Sequence, residues 1–457
     1  MTSDPKIVII GAGSASFGLE NLSGIIAHED LQNATLTLVD INESHLKAIY
    51  ALSERIKGEW KSNIEIKITT DRKKALPDAD FVILSVAIDR EETWSKDHEI
   101  AKKYGIYHYA ENGLMGSFTH TARGLNFIMP ILYDIHDLCK NTWLINFTNP
   151  VPRIGYAAEH ARIKSIGLCH QIWHGYGILG RYLAKDLNIS ENLDFEVKWT
   201  DESQNILAEF AIAAVCEYDI IAAGINHFTW MLDVRRKYSN EDMYPLIHRE
   251  AKNLYPKFEP LTQHIFKLFK LLPVPGDCHL AEYVPYTLTK DNWEKYSIQL
   301  YDFERGKKQR QHMWTRINNI ISGKHPMDIH PNPAERGDSI IAEMLTNANA
   351  YEQAVNIVNN GTIANLPNDA IVEAPALINS FGVSGLKVGK LPEGIAALCR
   401  REISIAKIIT ESSIKGDRDL ALQAFALMLD DLDLAEKLID EYLLTNKKYL
   451  PHFFTKN

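Results

Sequence analysis

KIVIIGAGSASFG, residues 6–18, is the stretch whose reading decides the fold. Ile7, Val8, Ile9 and Ile10 form a β-branched apolar run, and Gly11 and Gly13 follow it at once. That order is a short buried strand ending in a tight turn, where a glycine backbone can approach a pyrophosphate whose charge rests on the next helix. Ser16 stands where the usual third glycine would be. Gly11, Gly13 and Ser14 are the candidate cofactor-binding residues of this turn. The next β run, ATLTLVD (34–40), ends in Asp40. A carboxylate there takes both ribose hydroxyls and repels a 2′-phosphate, which favours NAD over NADP. Ser85, in the run ADFVILSVA (79–87), joins the same candidate set.

Outward from this turn, short β runs alternate with amphipathic segments. INESHLKAIYALSERIKGEW (41–60) carries apolar residues at helical spacing after an Asn/Glu/Ser start. IEIKITTD (64–71), WLINFTNP (143–150) and SIGLCH (165–170) continue the β series. The alternation predicts an α/β fold: an N-terminal, Rossmann-type, doubly wound parallel sheet over residues 1–190. Beyond that the regularity ends. LAEFAIAAVCEYDIIAAGINHFTWMLDV (207–234) reads as long strands, and the chain from residue 400 onwards reads as helix. Residues 191–457 are therefore expected to form an α+β domain carrying catalytic and oligomerisation functions.

Composition narrows the function classes. At 457 residues, with 46% hydrophobic and 24% charged residues, the chain has ordinary globular values. No window of about 18 apolar residues exists to cross a membrane, and the N-terminus lacks the long apolar core of a signal peptide. Cys139, Cys169, Cys216, Cys278 and Cys399 are an odd, scattered set, which argues against a disulfide framework and for a reducing cytoplasm. A net charge of −10 without a Lys/Arg block disfavours nucleic acid as a partner.

Four clusters carry candidate chemistry. FTNP places Asn149 before Pro150; GINHFTW holds Asn226 and His227; PVPGDCHLAEYVP holds Asp277, Cys278, His279 and Glu282 in an expected loop. The fourth, SIGLCHQIWHGYG (165–177), is the most pointed. Cys169 closes a strand on the edge where ligands gather, and His170 follows it. A Cys–His nucleophile pair is sterically poor there, because neighbours on an extended chain face opposite sides. A soft ligand for Mn, Fe, Co, Ni or Zn, completed by a histidine from another segment, suits the position better. His174 reads as structural.

These motifs, in this order, resemble glycoside hydrolase family 4, whose members depend on NAD and a divalent metal and depart from the two-carboxylate scheme of most glycosidases. VNNGTIANLPNDAIVEAPALI (358–378) resembles the family's C-terminal segment, so the likeness spans nearly the whole chain. The combination of CH, INHFTW and GDxHLAE is most similar to the α-galacturonidase branch; relatives acting on α-glucosides or α-galactosides share nearly the same motifs. The resemblance implies that NAD⁺ oxidises the sugar at C3, after which a base removes the C2 proton. The C1–O bond then breaks by elimination, water adds, and NADH returns the hydride.

By matching position, the resemblance makes Cys169 and His227 the ligands of Mn or another divalent metal. His170 becomes the proton donor to the leaving group and Asp277 the proton acceptor. Asn149, Glu111, Asn112, Asn226 and His279 become candidate sugar-binding residues. A uronate would need a facing cation, for which Arg90, Arg123 and Arg336 are nominal candidates. Trp173 and Trp230 could stack on a sugar face. By family habit a homo-dimer or homo-tetramer is expected, with a small glycoside as the substrate. A lactate- or malate-type dehydrogenase is the rival reading of the same nucleotide motif, but it would have no use for a Cys169/His227 metal pair.

Overall fold

The computed structural model describes residues 4–87, 89–108 and 112–455. Its first strand, β1 (Lys6–Ile10), pairs in parallel with β2 (Thr35–Val39) on one side and β4 (Phe81–Leu84) on the other. β3 (Glu65–Thr69), β5 (Trp143–Asn146) and β6 (Ser165–Gly167) extend this core to the order β3-β2-β1-β4-β5-β6, all parallel. This is the doubly wound arrangement expected from the alternating motifs.

Side-chain alternation explains why both faces are covered. Ile7 and Ile9 belong to the apolar cluster on one face, Val8 and Ile10 to that on the other, and all four are buried. A strand buried on both sides loses the polar alternation of a surface strand and reads as a continuous apolar run. Helix Glu43–Trp60 buries Leu46, Ile49, Leu52 and Ile56 against the sheet, at the spacing its sequence announces.

The sheet does not stop at residue 190. β9 (Ala350–Val358) pairs antiparallel with β6, then β10 (Ile371–Asn379), β7 (Tyr218–Ile225) and β8 (Phe228–Arg236) follow in that spatial order. β11 (Gly382–Gly385) pairs with β10. The two halves of the chain thus share one sheet of eleven strands. Helices Glu393–Lys415, Arg418–Met428 and Leu432–Thr445 also return to the first half, packing Ile405, Phe425 and Tyr442 against Ile100 and Phe118.

One expectation is corrected. Residues 207–217, read as the start of a long strand, lie in helix Asp201–Glu217. Thr200 caps it by accepting from the Ser203 amide at 3.3 Å, Asp201 and Glu202 occupy its first turn, and Ser203, Leu207, Phe210, Ala211 and Ala214 make a buried stripe. Among the described residues no helix is long and apolar enough to cross a membrane. All five cysteines are free.

Candidate active site

The nucleotide turn is built so that no side chain fits in it. Gly11 has φ +92°, and a Cβ there would lie 1.9 Å from the Ser85 carbonyl oxygen at the end of β4. A Cβ on Gly13 would lie 2.7 Å from Asp40 Cγ. The Gly13 amide donates to Asp40 Oδ2 at 2.8 Å and the Asn42 amide to Oδ1 at 2.8 Å, so the carboxylate at the end of β2 is held beside the turn. Ser14 caps helix Ala15–Glu20, accepting from the Phe17 amide at 3.3 Å, while Ser16 Oγ donates to Glu20 at 2.8 Å.

The second centre joins two distant segments. β6 ends at Gly167, and by His170 (φ −86°, ψ 10°) the backbone has left extended geometry to open helix Gln171–Tyr182. That break lets Cys169 and His170 serve different directions. Cys169 Sγ lies 3.4 Å from Nε2 of His227, which occupies the turn between β7 and β8 with φ +63°. A thiolate and an imidazole sharing one zinc-sized cation stand about 3.1–3.6 Å apart, for bonds of roughly 2.3 and 2.0–2.1 Å meeting at about 90–110°. The observed 3.4 Å, which is also the length of a direct thiol–imidazole hydrogen bond, lies within that range. Burial holds His227 well below its ordinary pKa, which keeps the imidazole neutral as ligation requires, and its buried Nδ1 has no hydrogen-bond partner. Burial pushes the Cys169 thiol up to about 12, so a thiolate at neutral pH needs a cation beside it. Among the described residues no three His, Cys, Asp or Glu side chains converge as a metal site.

The neighbours of this pair are ordered. The His170 side chain is 70% exposed, with Nδ1 3.4 Å from Glu335 Oε1, and that partner raises its pKa. Arg336 forms an ion pair with Glu352 and donates to the carbonyls of Ala354 at 2.7 Å and Cys169 at 3.3 Å. Asn226 Nδ2 donates to Glu373 Oε2 at 2.5 Å.

The segment expected as a loop around Asp277 holds a single helical turn, Asp277–Leu280. Both Asp277 oxygens accept backbone amides, from Leu261 at 2.8 Å and Thr262 at 2.7 Å, and so anchor the start of helix Pro260–Phe269. The Asp277 amide donates to Glu259; burial raises both carboxyls, Glu259 the more strongly. Two residues on, the His279 ring sits 4.4 Å from that of His227. His279 Nδ1 is 3.2 Å from Glu282 Oε2, and Glu282 Oε1 accepts the Gly113 amide at 3.4 Å. Gly113, Glu282, His279, His227 and Cys169 are thus linked in sequence by contacts. The side-chain oxygens of Asn112 and Asn149 are buried without a hydrogen-bond partner. Glu111 lies outside the described residues. His174 is pushed down to about 4 by burial; its Nε2 lies 4.0 Å from Glu259 and is buried without a hydrogen-bond partner.

Other candidates have protein partners of their own. Arg123 is buried in a network with Asp97 (2.6 Å) and Asn446 (2.7 Å) that ties the C-terminal helix to the first half. The Arg90 guanidinium covers the Trp94 ring at 5.3 Å. Trp230 is fully buried against Phe228 and Phe269, and Trp173 packs beside Tyr176. Sequence reasoning missed Glu335, Glu259, Asn356 and Glu373. Only Glu373 carried a signal, as the one charged residue of the apolar run IVEAPALI (371–378).

Comparison with known proteins identifies the architecture. The family 4 glycosyl hydrolase model matches residues 6–188, and the model of that family's C-terminal domain matches residues 222–431. The chain belongs to glycosyl hydrolase family 4. An α-glucosidase of Erwinia rhapontici is 29% identical over 95% of this chain and 96% of its own. An α-galacturonidase of Thermoanaerobacterium saccharolyticum is 27% identical over 98% and 97%. Among solved structures, a 6-phospho-α-glucosidase from gut microorganisms, in complex with NAD and Mn²⁺, superimposes with a TM-score of 0.77 at 19% identity. It covers 98% of this chain and 99% of that one, a likeness of fold. For this family 4 hydrolase the rival dehydrogenase reading falls away.

Proposed function

We propose that this family 4 hydrolase cleaves an α-linked hexoside using NAD and a divalent cation, Mn²⁺ being the first choice. The observation that carries the reading is the 3.4 Å gap between Cys169 Sγ and His227 Nε2, two donors of the right chemistry at the spacing of one shared cation. The α-glucosidase and α-galacturonidase relatives supply the bond type, and the 6-phospho-α-glucosidase structure, with its NAD and Mn²⁺, supplies the cofactor pair.

When bound, NAD supplies a hydride acceptor for C3 and the cation a Lewis acid for the C2 and C3 oxygens, which makes the C2 proton acidic. The chain does the rest. Gly11 and Gly13 would leave room for a pyrophosphate, Ser14 and the Ser85 carbonyl border the same turn, and Asp40 would be the residue to hold the ribose hydroxyls. Cys169 and His227 hold the cation. Asn112 and Asn149 offer acceptors to sugar hydroxyls, and His279 and Asn226 flank His227. His170, exposed and oriented by Glu335, delivers a proton to the leaving oxygen. Asp277 is the proton acceptor in this reading. Burial makes its carboxylate a stronger base than an exposed aspartate, an effect that the Glu259 side chain and the Leu261 and Thr262 amides partly offset.

A neutral sugar is the first substrate to test, since Arg123 and Arg336 are engaged by Asp97 and Glu352 and Arg90 lies over Trp94, while Arg153, which donates to the Asn112 carbonyl at 2.7 Å, is the cation beside the sugar-binding candidates. The test is a panel of nitrophenyl α-glucoside, α-galactoside and α-galacturonide with the purified chain, a thiol, and NAD⁺ and Mn²⁺ added singly and together. Cleavage of a neutral α-hexoside only when both are present is expected. Cleavage without NAD⁺ would overturn the reading, and preference for the galacturonide would restore a uronate substrate.

A further inference from the structure

Four residues form one rung across the middle of the sheet. Gly167 on β6 stands opposite Asn356 on β9, Asn356 opposite Glu373 on β10, and Glu373 opposite Gly224 on β7. Cys169 comes two residues after one end of this rung, and His227 three residues after the other. The two ligands of the cation site therefore hang from opposite ends of the same four-strand row, and they come from halves of the chain 58 residues apart.

The rung's side chains close that row into a hydrogen-bonded bridge. Asn356 Nδ2 donates to the Gly167 carbonyl at 3.3 Å and to Glu373 Oε2 at 2.9 Å; the same Glu373 oxygen accepts from Asn226 Nδ2 at 2.5 Å. Asn226 is the residue before His227. Both ends of the rung are glycine, and a Cβ at Gly167 would lie 2.3 Å from Val151 Cγ1 and 3.0 Å from Asn356 Cβ, so the strand packs closely here against both neighbours. Asn356 is 3% exposed and Glu373 2%. A buried carboxylate without a cationic partner in contact is costly unless amides satisfy it, and here two amides converge on one of its oxygens.

We infer that Glu373, with Asn356, is a positioning bridge that sets the distance between Cys169 and His227 and so tunes the protein's affinity for its cation. Its hydrogen bonds are to Asn226 and Asn356, so it acts on the cation through the ligands and is a positioning residue. Partners that orient metal ligands without binding the metal commonly change affinity by about 10–100-fold when removed. The inference rests on the reading of Cys169 and His227 as cation ligands, and the experiment separates the two.

Mn²⁺ affinity is measured on the full chain by the electron-paramagnetic signal of free Mn²⁺, with NAD⁺ affinity measured in parallel. The variants are Glu373→Leu, Glu373→Gln, Asn356→Ala and Cys169→Ala. Glu373→Leu and Asn356→Ala, each removing one span of the bridge, are expected to weaken Mn²⁺ binding roughly 10–100-fold and to leave NAD⁺ binding unchanged. Glu373→Gln keeps an oxygen where both amides converge, so it is expected to stay within about 3-fold of the parent, well short of the loss that follows removal of such a partner. Should Glu373→Leu fail to fold, Asn356→Ala reads the other span. Unchanged Mn²⁺ affinity in the bridge-breaking variants would overturn the bridge, as would equal loss of Mn²⁺ and NAD⁺ binding. Unchanged affinity in Cys169→Ala would instead overturn the cation site beneath it.

Discussion

The nucleotide turn, which follows β1, and the cation pair, which follows β6 and β7, are made in opposite ways. The turn is local: Gly11, Gly13 and Ser14 are nearly consecutive, and its one distant partner, Asp40, closes the next strand. The cation pair is assembled: Cys169 and His227 meet only because β9 and β10, contributed by residues 350–379, insert between β6 and β7. A local site depends on backbone shape, whereas an assembled one depends on the whole sheet keeping its register. The two should therefore fail separately.

Breaking the assembled site at its donor has the largest expected effect. Cys169→Ala should weaken Mn²⁺ binding by more than about 100-fold, beyond the cost of losing a supporting partner, with NAD⁺ affinity unchanged; parallel titrations check this. Breaking the local site at its glycine is next. Gly11→Ala places a methyl on the Ser85 carbonyl and forces a conformation costing about 1–3 kcal/mol before any clash. NAD⁺ binding should be lost and Mn²⁺ binding kept. Asp40→Asn is gentler: removal of a charge-assisted hydrogen bond worth about 1.5–3 kcal/mol should cost roughly 10–100-fold in NAD⁺ affinity and narrow the preference over NADP⁺, by calorimetry.

The smallest effect concerns neither site and sharpens the contrast by leaving both intact. Burial pushes the Glu402 carboxyl up to about 7, against an ordinary value of 4.5. An acid raised on folding destabilises the fold as it ionises, so the penalty is absent below about pH 4.5 and complete above about pH 7. Glu402→Gln should leave the melting temperature unchanged at pH 4 and raise it by a few degrees at pH 8, with both affinities preserved.

The same division explains what could be read from the residues. Strands β1 to β6 were legible because each is a short apolar run bounded by turn chemistry, and Gly11 and Asp40 because their spacing is set within one βαβ unit. Cys169 and His227 could be named from the family resemblance, but their meeting depends on pairings between strands far apart in the chain. Residues 207–217 were misread because a run of Ala, Ile, Val and Phe suits a strand as well as a buried helix; the deciding features were the Thr200 cap and the buried stripe from Ser203 to Ala214. The amides that bind Asp277 come from Leu261 and Thr262, a contact no local pattern announces. Glu373 stood out as a lone charge in an apolar strand, yet its partners Asn226 and Asn356 lie on two other strands.

The most direct test of the account is hydrolysis of a neutral nitrophenyl α-hexoside in D₂O with NAD⁺ and Mn²⁺. The released sugar should carry deuterium at C2 while NADH stays below the product concentration, because the C2 proton exchanges with solvent and the hydride returns in each cycle. A product without deuterium at C2, or NADH accumulating in step with product, would contradict it.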